Sequence, residues 1–267
     1  MAPYDGVADD YASDSLSFFN VLGEQLVEMV GISPGDTVLD VACGAGAVTL
    51  PAARRVGPSG RVIGIDISEG MLRHAQRRAA VENLDHVSFR QTDVGELKSG
   101  EGPHFDVGLC GFAIHLFDDR SVPLRNLAAR LRPGGKVGWS IWGENALQPG
   151  MALFRSVFTG TPMPDSVPDT GDLEFGDHNH LETLMATVGF PGVSIKPFQH
   201  NHRLPTFDDY WTLMSTCGQR AAIENMPQEV RDRFRAELFK AFKEISDEDG
   251  GLSIDVSCLM VVGKVPG

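Results

Sequence analysis

The sequence predicts an α/β protein, a mostly parallel doubly wound sheet topped by a small helical cap. Three observations carry that prediction. Between residues 37 and 142, short apolar runs alternate with stretches of helical period. Parallel strands need such crossovers, which pack helices on the sheet with a right-handed sense. The first strand runs straight into a glycine-bearing turn, "VLDVACGAG" (38–46), and after Trp142 the rhythm stops and proline and glycine take over.

The polar start is expected to be mobile to about Ser15. From Leu16 to Val30, Phe19, Leu22, Leu26 and Met29 or Val30 recur at helical spacing, so an amphipathic helix is expected. "SPGD" (33–36) is a turn, Thr37–Val41 a buried strand and Ala45–Arg55 a helix. "RVIGID" (61–66) is the second strand, and Glu69–Val81 a helix with apolar Met71, Leu72, Ala75 and Ala79. "VSFRQTD" (87–93) and "FDVGLCG" (105–111) follow as strands, then a helix over Val122–Arg130. "LRPGG" (131–135) stops it and "KVGWSIW" (136–142) is the fifth strand. Beyond residue 142 the pattern gives one short apolar helix within 143–176. A helix at His178–Val188 and a strand at Val193–Pro197 follow. Phe207–Cys217 is aromatic and apolar. An amphipathic helix spans Gln228–Ser246, on which Val230, Phe234, Leu238, Phe242 and Ile245 share a face, and a last strand covers 256–263. The insertions at 143–176 and 205–250 are too small for a second domain. The chain, 1–267, therefore reads as one domain: an N-terminal helical lid (1–34), a core (35–142) and a cap made of the two insertions.

The formal net charge of −13 argues against a nucleic-acid backbone or an anionic membrane surface as partner. The N-terminus has neither a basic region nor an apolar one, and no apolar run approaches the length of a membrane span. Cys43, Cys110, Cys217 and Cys258 lie far apart without a CxxC pair. They read as small buried hydrophobes in a reducing compartment, which places the protein in the cytoplasm. The apolar face of 228–246 is left to cover either the core or a twofold partner in a homodimer.

The turn at 42–46 invites three readings. A P-loop needs Lys followed by Ser or Thr after its last glycine, whereas Ala47 and Val48 follow Gly46. A dinucleotide fingerprint wants three glycines where this chain has Ala42, Gly44 and Ala47, a partial match. Another nucleoside cofactor remains, and it accounts for the acidic strand ends. Asp40 can orient the turn or face a cationic group, and Gly44 and Gly46 allow close backbone approach. Asp66, twenty residues after Gly46, stands where a carboxylate can accept both hydroxyls of a ribose. Asp93 ends the third strand within reach of an adenine amino group, although a helix cap accounts for it as well.

With these pieces in order, the chain resembles the class I S-adenosylmethionine-dependent methyltransferases, particularly the small-molecule enzymes acting on ubiquinone and menaquinone precursors. "VLDVACGAG" resembles their first motif, with Asp40, Gly44 and Gly46 in matching places and Ala42 where glycine is common. "VIGIDIS" matches the segment whose acid holds the ribose, here Asp66, with Ile67 and Met71 near the adenosine. "QTDVGEL" places Thr92, Asp93 and Val94 beside the adenine, and "FDVGLCGFAIHLFDD", with Cys110, matches the fourth-strand segment. "LRPGGKVGWS" matches the entry to strand five. The resemblance covers about residues 35–142. It implies a Rossmann-like sheet of seven strands, the last antiparallel, with S-adenosylmethionine as cofactor and Tyr11 in a segment that closes over it.

Methyl transfer needs the donor and acceptor held in line, water excluded and a proton removed where the acceptor carries one. His115, in the loop after the fourth strand, is the candidate base, with orienting the substrate or touching the cofactor, and plain packing, as the competing roles. The pairs His178/His180 and His200/His202 read more economically as a helix cap, from Asp177 or Asn179, and a strand exit, so no metal site is expected. The acceptor is expected to be a small aromatic or apolar metabolite. The cap residues Trp142, Phe154, Phe158, Met163, Phe207, Tyr210, Trp211 and Met214 are the candidates to wall it, with ordinary core packing the better reading for any one of them. The attacked atom, oxygen, nitrogen or carbon, is open. The alternative is a relative that keeps the cofactor but catalyses a non-methylating cyclisation or serves as a binding partner. An NAD-type oxidoreductase is disfavoured by Ala42 and Ala47.

Overall fold

The computed structural model describes residues 4–11, 13–97, 104–164, 167, 177–217 and 219–267. Five strands and their crossovers form the first half: β1 (Thr37–Val41), β2 (Arg61–Asp66), β3 (Val87–Gln91), β4 (Phe105–Gly111) and β5 (Leu131–Trp142). Between them run α3 (Thr49–Val56), α4 (Glu69–Val81) and α5 (Ser121–Ala128), preceded by α1 (Ala8–Tyr11) and α2 (Phe18–Val30). The second half adds α6 (Gly150–Gly160), α7 (His178–Thr187), β6 (Ser194–Phe198), β7 (Asn201–Leu204) and α8 (Phe207–Thr216). It closes with α9 (Arg220–Asn225), α10 (Gln228–Ile245), β8 (Leu252–Asp255) and β9 (Cys258–Lys264).

Seven strands pair in the order β3–β2–β1–β4–β5–β9–β6. The first five are parallel. β9 runs antiparallel between β5 and β6, as the sequence led us to expect of the last strand. Strand order reverses between β1 and β4, and the crevice outside the carboxyl ends of strands at such a switch point is where open α/β sheets bind ligands. β1 is covered on both faces, which is why it reads as an unbroken apolar run rather than an alternating one.

Most elements lie where the periodicity puts them, and three differences have physical causes. The first crossover helix begins at Thr49 rather than Ala45, because Gly44 and Gly46 hold left-handed backbone and keep the turn out of helical conformation. β5 starts at Leu131, which pairs with Phe105 ahead of a register shift, so "LRPGG" belongs to the strand despite its proline. A separate two-stranded sheet, β7 with β8, was not legible, since four-residue strands carry little period. Part of the 143–176 insertion, 165–166 and 168–176, lies outside the described residues.

Helix α2 lies unusually close to the sheet. A Cβ added at Gly23 would stand 2.1 Å from the Ala47 carbonyl oxygen, and one at Gly138 on β5 would stand 2.2 Å from Val30. The helix ends on left-handed Gly31, and Lys136 donates to the carbonyls of Val30 (3.2 Å) and Gly31 (2.7 Å), satisfying its C-terminus. Gly23 is therefore a helix-interior glycine kept for proximity, against a propensity cost of about 1 kcal/mol. Gly23→Ala is expected to destabilise the protein by about 2 kcal/mol despite the better helix former, because the obstacle is backbone. Gly160→Ala, with nothing within 4 Å of the new methyl, serves as the control and is expected to stay within about 0.5 kcal/mol in urea unfolding.

Candidate active site

β1 delivers Asp40 to the crevice with no exposure to solvent. Its Oδ2 accepts a hydrogen bond from Thr49 Oγ1 at 2.5 Å, while Oδ1 is buried without a partner. Burial, opposed by the Thr49 bond and helped by the nearby charge of Asp66, raises the Asp40 carboxyl to about 7. An orphaned carboxylate oxygen facing a cavity is a place prepared for a donor, and best for a cationic one.

The turn after β1 passes through left-handed backbone at Ala42 (φ 51°), Gly44 (52°) and Gly46 (87°). Ala42 holds this conformation with a Cβ, a strained choice that makes clear why glycine suits the position better. The two glycines serve different ends. The space in front of Gly44 is open, with nothing within 4 Å of the point a Cβ would occupy. A Cβ at Gly46 would lie 3.3 Å from Leu50 and 3.4 Å from Ala75, so this glycine seats the turn on α3 and α4.

At the end of β2, Asp66 holds the turn in place. Its Oδ2 accepts from the Gly44 N–H and its Oδ1 from the Ser68 N–H, both at 2.8 Å. Burial raises its pKa against these two bonds. Ser68 caps α4 by accepting from the Met71 N–H. Over this corner lies the N-terminal segment, which packs rather than hangs free. Asp5 accepts from Ser68 Oγ (2.6 Å) and the Gly70 N–H (3.2 Å), and His74 Nε2 meets Asp9 at 2.7 Å. Ala8 joins Ala45 and Met71 in a small buried cluster, with Tyr4 and Tyr11 against it.

Between the turn and α2 is a cavity of about 170 Å³. Tyr11, Leu16, Phe19 and Phe112 form its apolar side, and Asp40, Asp14, Asn20 and Arg78 its polar one, with the backbone of 42–45 as floor. Tyr11 stacks on Phe19 (centroids 5.3 Å apart), Phe112 meets Phe19 edge-on at 5.4 Å, and Phe112 lies 4.5 Å from Trp142. Phe112 is itself left-handed (φ 51°), and its N–H donates to the buried Ser140 Oγ at 3.2 Å. Strain in a bulky residue beside a cavity is typical of functional sites.

Of the residues singled out in sequence, Tyr11, Asp40, Ala42 and Gly44 line this cavity, and Asp66 and Met71 lie under the N-terminal segment next to it. Ile67 is 42% exposed at the end of β2. The Thr92 N–H donates to the Asp66 carbonyl at 3.0 Å, Asp93 caps the turn at 94–96 through the Gly95 N–H, and Val94 and Cys110 are buried in the apolar cluster on one face of the sheet. His115 sits in a short 3-10 turn after β4 with its Nδ1 buried and unpartnered. Burial first, and the positive Arg120 second, lower its pKa to about 4, so it is a neutral proton acceptor at physiological pH. Asp177 caps α7 as expected (2.9 Å to the His180 N–H), His178 pairs with Glu182, and His202 packs on Phe18.

The cap aromatics lie outside this cavity. None of Trp142, Phe154, Phe158, Met163, Phe207, Tyr210, Trp211 and Met214 lines the cavity. Tyr210 is fully buried with its hydroxyl on the Gly150 carbonyl, and Phe154, Phe158 and Phe234 pack on one another. Phe154, Phe158, Tyr210 and Met214 are buried in the core under the cap, whereas Trp142, at the end of β5, packs behind Phe19 and Phe112. Phe207 lines a wider groove of about 590 Å³ between α8 and α10, lined by none of the turn's residues, whose rim charges Arg235 and Asp208 already pair at 2.7 Å. Sequence reasoning missed Phe19, Asn20, Arg78 and Phe112 as site residues, although Phe19 was visible as an apolar helix position.

Known proteins place this geometry. A family model described as "Methyltransferase domain" matches residues 38–135. The chain is 39% identical to nocamycin O-methyltransferase of Saccharothrix syringae over 135 residues, 51% of this chain and 48% of that enzyme, so the match spans about half the relative's length. It is 31% identical to demethylmenaquinone methyltransferase of Staphylococcus aureus over 186 residues, 68% of this chain and 74% of that one. In fold it is similar to Haemonchus contortus phosphoethanolamine N-methyltransferase 2, solved with S-adenosyl-L-methionine, at a TM-score of 0.56 and 15% identity, covering 100% of this chain and 61% of that one.

A stability consequence follows from Asp40. Its folded pKa of about 7 lies above the unfolded value of 3.8, so stability is lost as pH rises between those values and the penalty is complete above 7. Asp40→Asn keeps an acceptor for Thr49 and removes the charge. The ligand-free variant is expected to be more stable than the wild type at pH 8 by the order of 2 kcal/mol, with the advantage shrinking toward pH 4. Paired denaturant titrations at the two pH values check this.

Proposed function

Since the chain belongs to the class I S-adenosylmethionine-dependent methyltransferases, we propose that it moves a methyl group from that cofactor to an oxygen, nitrogen or carbon atom of a small, flat, apolar metabolite. The observation that carries the acceptor class is the aromatic side of the cavity, Tyr11, Phe19 and Phe112, facing the turn that carries Asp40 and Gly44. Flat rings suit such walls, and a polymer does not fit so small a space. The relatives' names, nocamycin, demethylmenaquinone and aklanonic acid among them, supply a first panel of acceptor types.

The residues present fit the cofactor. The unpartnered Asp40 oxygen offers an acceptor to a cationic group, the open space before Gly44 admits close approach, and Asp66 retains lone pairs for ribose hydroxyls. When bound, the cofactor supplies a methyl group activated by its sulfonium charge. The protein's own part is to bind, orient and dry the site. A volume of about 170 Å³ is below the roughly 300–1,000 Å³ usual for small-molecule sites. Residues 4–11 take up the space over Asp66, so the segment swings aside to admit the nucleoside and closes again to exclude water. His115, which lies outside the cavity lining with its Nδ1 buried, is the proposed base for the acceptor's proton and has to be uncovered by the same opening. A conjugate acid of about pKa 4 makes it a weak base, suited to acceptors whose proton is already acidic.

The protein works in the cytoplasm, a reading supported by four unpaired cysteines and by the absence, among the described residues, of a helix long and apolar enough to cross a membrane. Its net charge of −13 supports a small-molecule partner rather than a nucleic acid.

Calorimetry with S-adenosylmethionine and, separately, NAD tests the reading. The sulfonium donor is expected to bind and NAD not, with Asp66→Ala weakening the donor at least tenfold; binding of NAD alone would sink the proposal. With an accepted acceptor, His115→Ala is expected to lower kcat by about 100-fold while leaving donor affinity within twofold. A loss of donor affinity instead would make His115 a packing residue.

A further inference from the structure

Helix α10 turns its apolar face inward: Phe234, Leu238 and Phe242 are buried in the core. The side turned away from that face carries a second stripe. Asp232, Ala236, Phe239 and Lys243 are all exposed, and with about 3.6 residues per turn they fall on one narrow strip of the helix. Phe239 is 40% exposed, unlike the other two phenylalanines of α10. Together with Phe207, whose ring centroid is 5.0 Å from its own, it walls the groove of about 590 Å³ between α8 and α10.

The charges along this strip are unmatched. Arg235, on its flank, is paired with Asp208 at 2.7 Å and lies over the Phe207 ring. Among the described residues Asp232, by contrast, accepts only from the Gln228 amide at 2.8 Å, and Lys243 rests 4.2 Å from the Phe239 ring centroid with no carboxylate on it. One end of an exposed aromatic strip is thus anionic and the other cationic. About 16 Å separates them along the axis, too far to meet within one helix.

A second copy of the chain supplies both missing partners. Asp232 and Lys243 stand equally far on either side of a point midway between Glu237 and Leu238, and so do Ala236 and Phe239. Two α10 helices packed antiparallel about a twofold axis at that height set Asp232 of each copy against Lys243 of the other. Between the two ion pairs, each Phe239 lies over the other copy's Ala236, whose small side chain lets the helices approach and leaves the groove beside Phe207 to receive the ring. Lys240 stands at the height of Arg235 under the same symmetry, but it lies on the opposite flank and pairs with Glu237 at 2.7 Å, so like charges are not brought together.

We propose that this strip is a self-complementary interface through which the protein forms an antiparallel twofold dimer, with Phe207 at its margin. A contact of this length covers less than the roughly 800 Å² per partner of a standard interface, so the dimer is dissociable, with a dissociation constant of about 10–100 μM. The inference is independent of the cofactor and of the reaction.

Sedimentation velocity on the full chain from about 1 to 500 μM tests it. The wild type is expected to shift from monomer to dimer across that range. Phe239→Glu, Asp232→Lys and Lys243→Asp are each expected to weaken association by about tenfold or more. Mixing Asp232→Lys with Lys243→Asp in equal amounts is expected to restore it, because both ion pairs of the mixed dimer again join opposite charges. All three positions are exposed, so circular dichroism of the variants should match the wild type. A wild type that stays monomeric throughout overturns the proposal and leaves the groove to a small apolar ligand. A dimer indifferent to the charge reversals, or reversed variants that fail to rescue one another, overturns it as well, since another face would then hold the copies together.

Discussion

The candidate site depends on one half-buried carboxylate used as a backbone fastener. Asp66 accepts the Gly44 N–H with one oxygen and the Ser68 N–H with the other, both at 2.8 Å. The first bond fixes a turn that runs through three left-handed residues, and the second fixes the entry to α4. Neighbouring main-chain bonds extend the tie: the Cys43 N–H reaches the Ile65 carbonyl and the Thr92 N–H the Asp66 carbonyl. The ends of β1, β2 and β3 are thereby held as one surface. A charge this buried raises its own pKa, and the two N–H bonds are what make its ionised form tolerable. An amide at this position could accept only through one of its two ends, so one of the two loops would lose its partner.

Once the turn is fixed, α2 can approach it closely, and that approach makes the cavity. Gly23 lets the helix touch the Ala47 backbone, and Gly138 lets Val30 touch β5. No side chain separates helix from turn, so Phe19 and Asn20 project directly over the floor formed by residues 42–45. The opposite wall comes from the β4 exit, where left-handed Phe112 is held by Ser140 and backed by Trp142. The cavity is thus built by glycine-mediated closeness of the helix and by a strained aromatic residue at the β4 exit. The cap insertions contribute little to the cavity wall, because their aromatic residues are consumed in giving the cap a core.

This division accounts for what was legible in sequence. Strands buried on both faces, and helices of strong period, announce themselves locally, so β1, β2, α4 and α10 lie within a residue of their expected bounds. Asp40 and Asp66 were legible because a carboxylate at the end of an apolar strand is costly to bury and must answer to a hydrogen bond or a ligand. Arg78 and Asn20 were not, since their significance comes from a contact 58 residues apart along the chain that neither local pattern contains. Phe112 carried no sign of its left-handed backbone, which only the β4–β5 pairing and Ser140 impose. The two roles left open for the cap residues have the same root. Aromatic composition identifies a region with apolar surface to bury, but whether it buries that surface in itself or around a ligand is decided by tertiary packing.

The electrostatics of the closed site connect stability to function. The charge of Asp66 adds to burial in raising Asp40 to about 7, and Asp5, which fastens the N-terminal segment, adds its own charge near Asp66. Three carboxylates therefore gather around one corner of the sheet, and ionising all of them works against the folded state. Such an arrangement is costly without a ligand and is relieved by a cation, so binding energy is drawn from repulsion already present. The relief is largest for a ligand that carries positive charge and smaller once that charge is gone. A donor that arrives as a sulfonium and leaves as a neutral thioether meets the site in that order. An acidic corner of this kind favours a cationic ligand over a neutral one of the same shape, and aromatic faces add to that preference. On the function proposed above, Asp40 and its acidic neighbours bear on the charged ligand, and Tyr11, Phe19 and Phe112 on a flat one. The strand that carries Asp40 and the helix that begins at Phe18 both reach this one cavity, so acidic and aromatic groups act on the same ligand space.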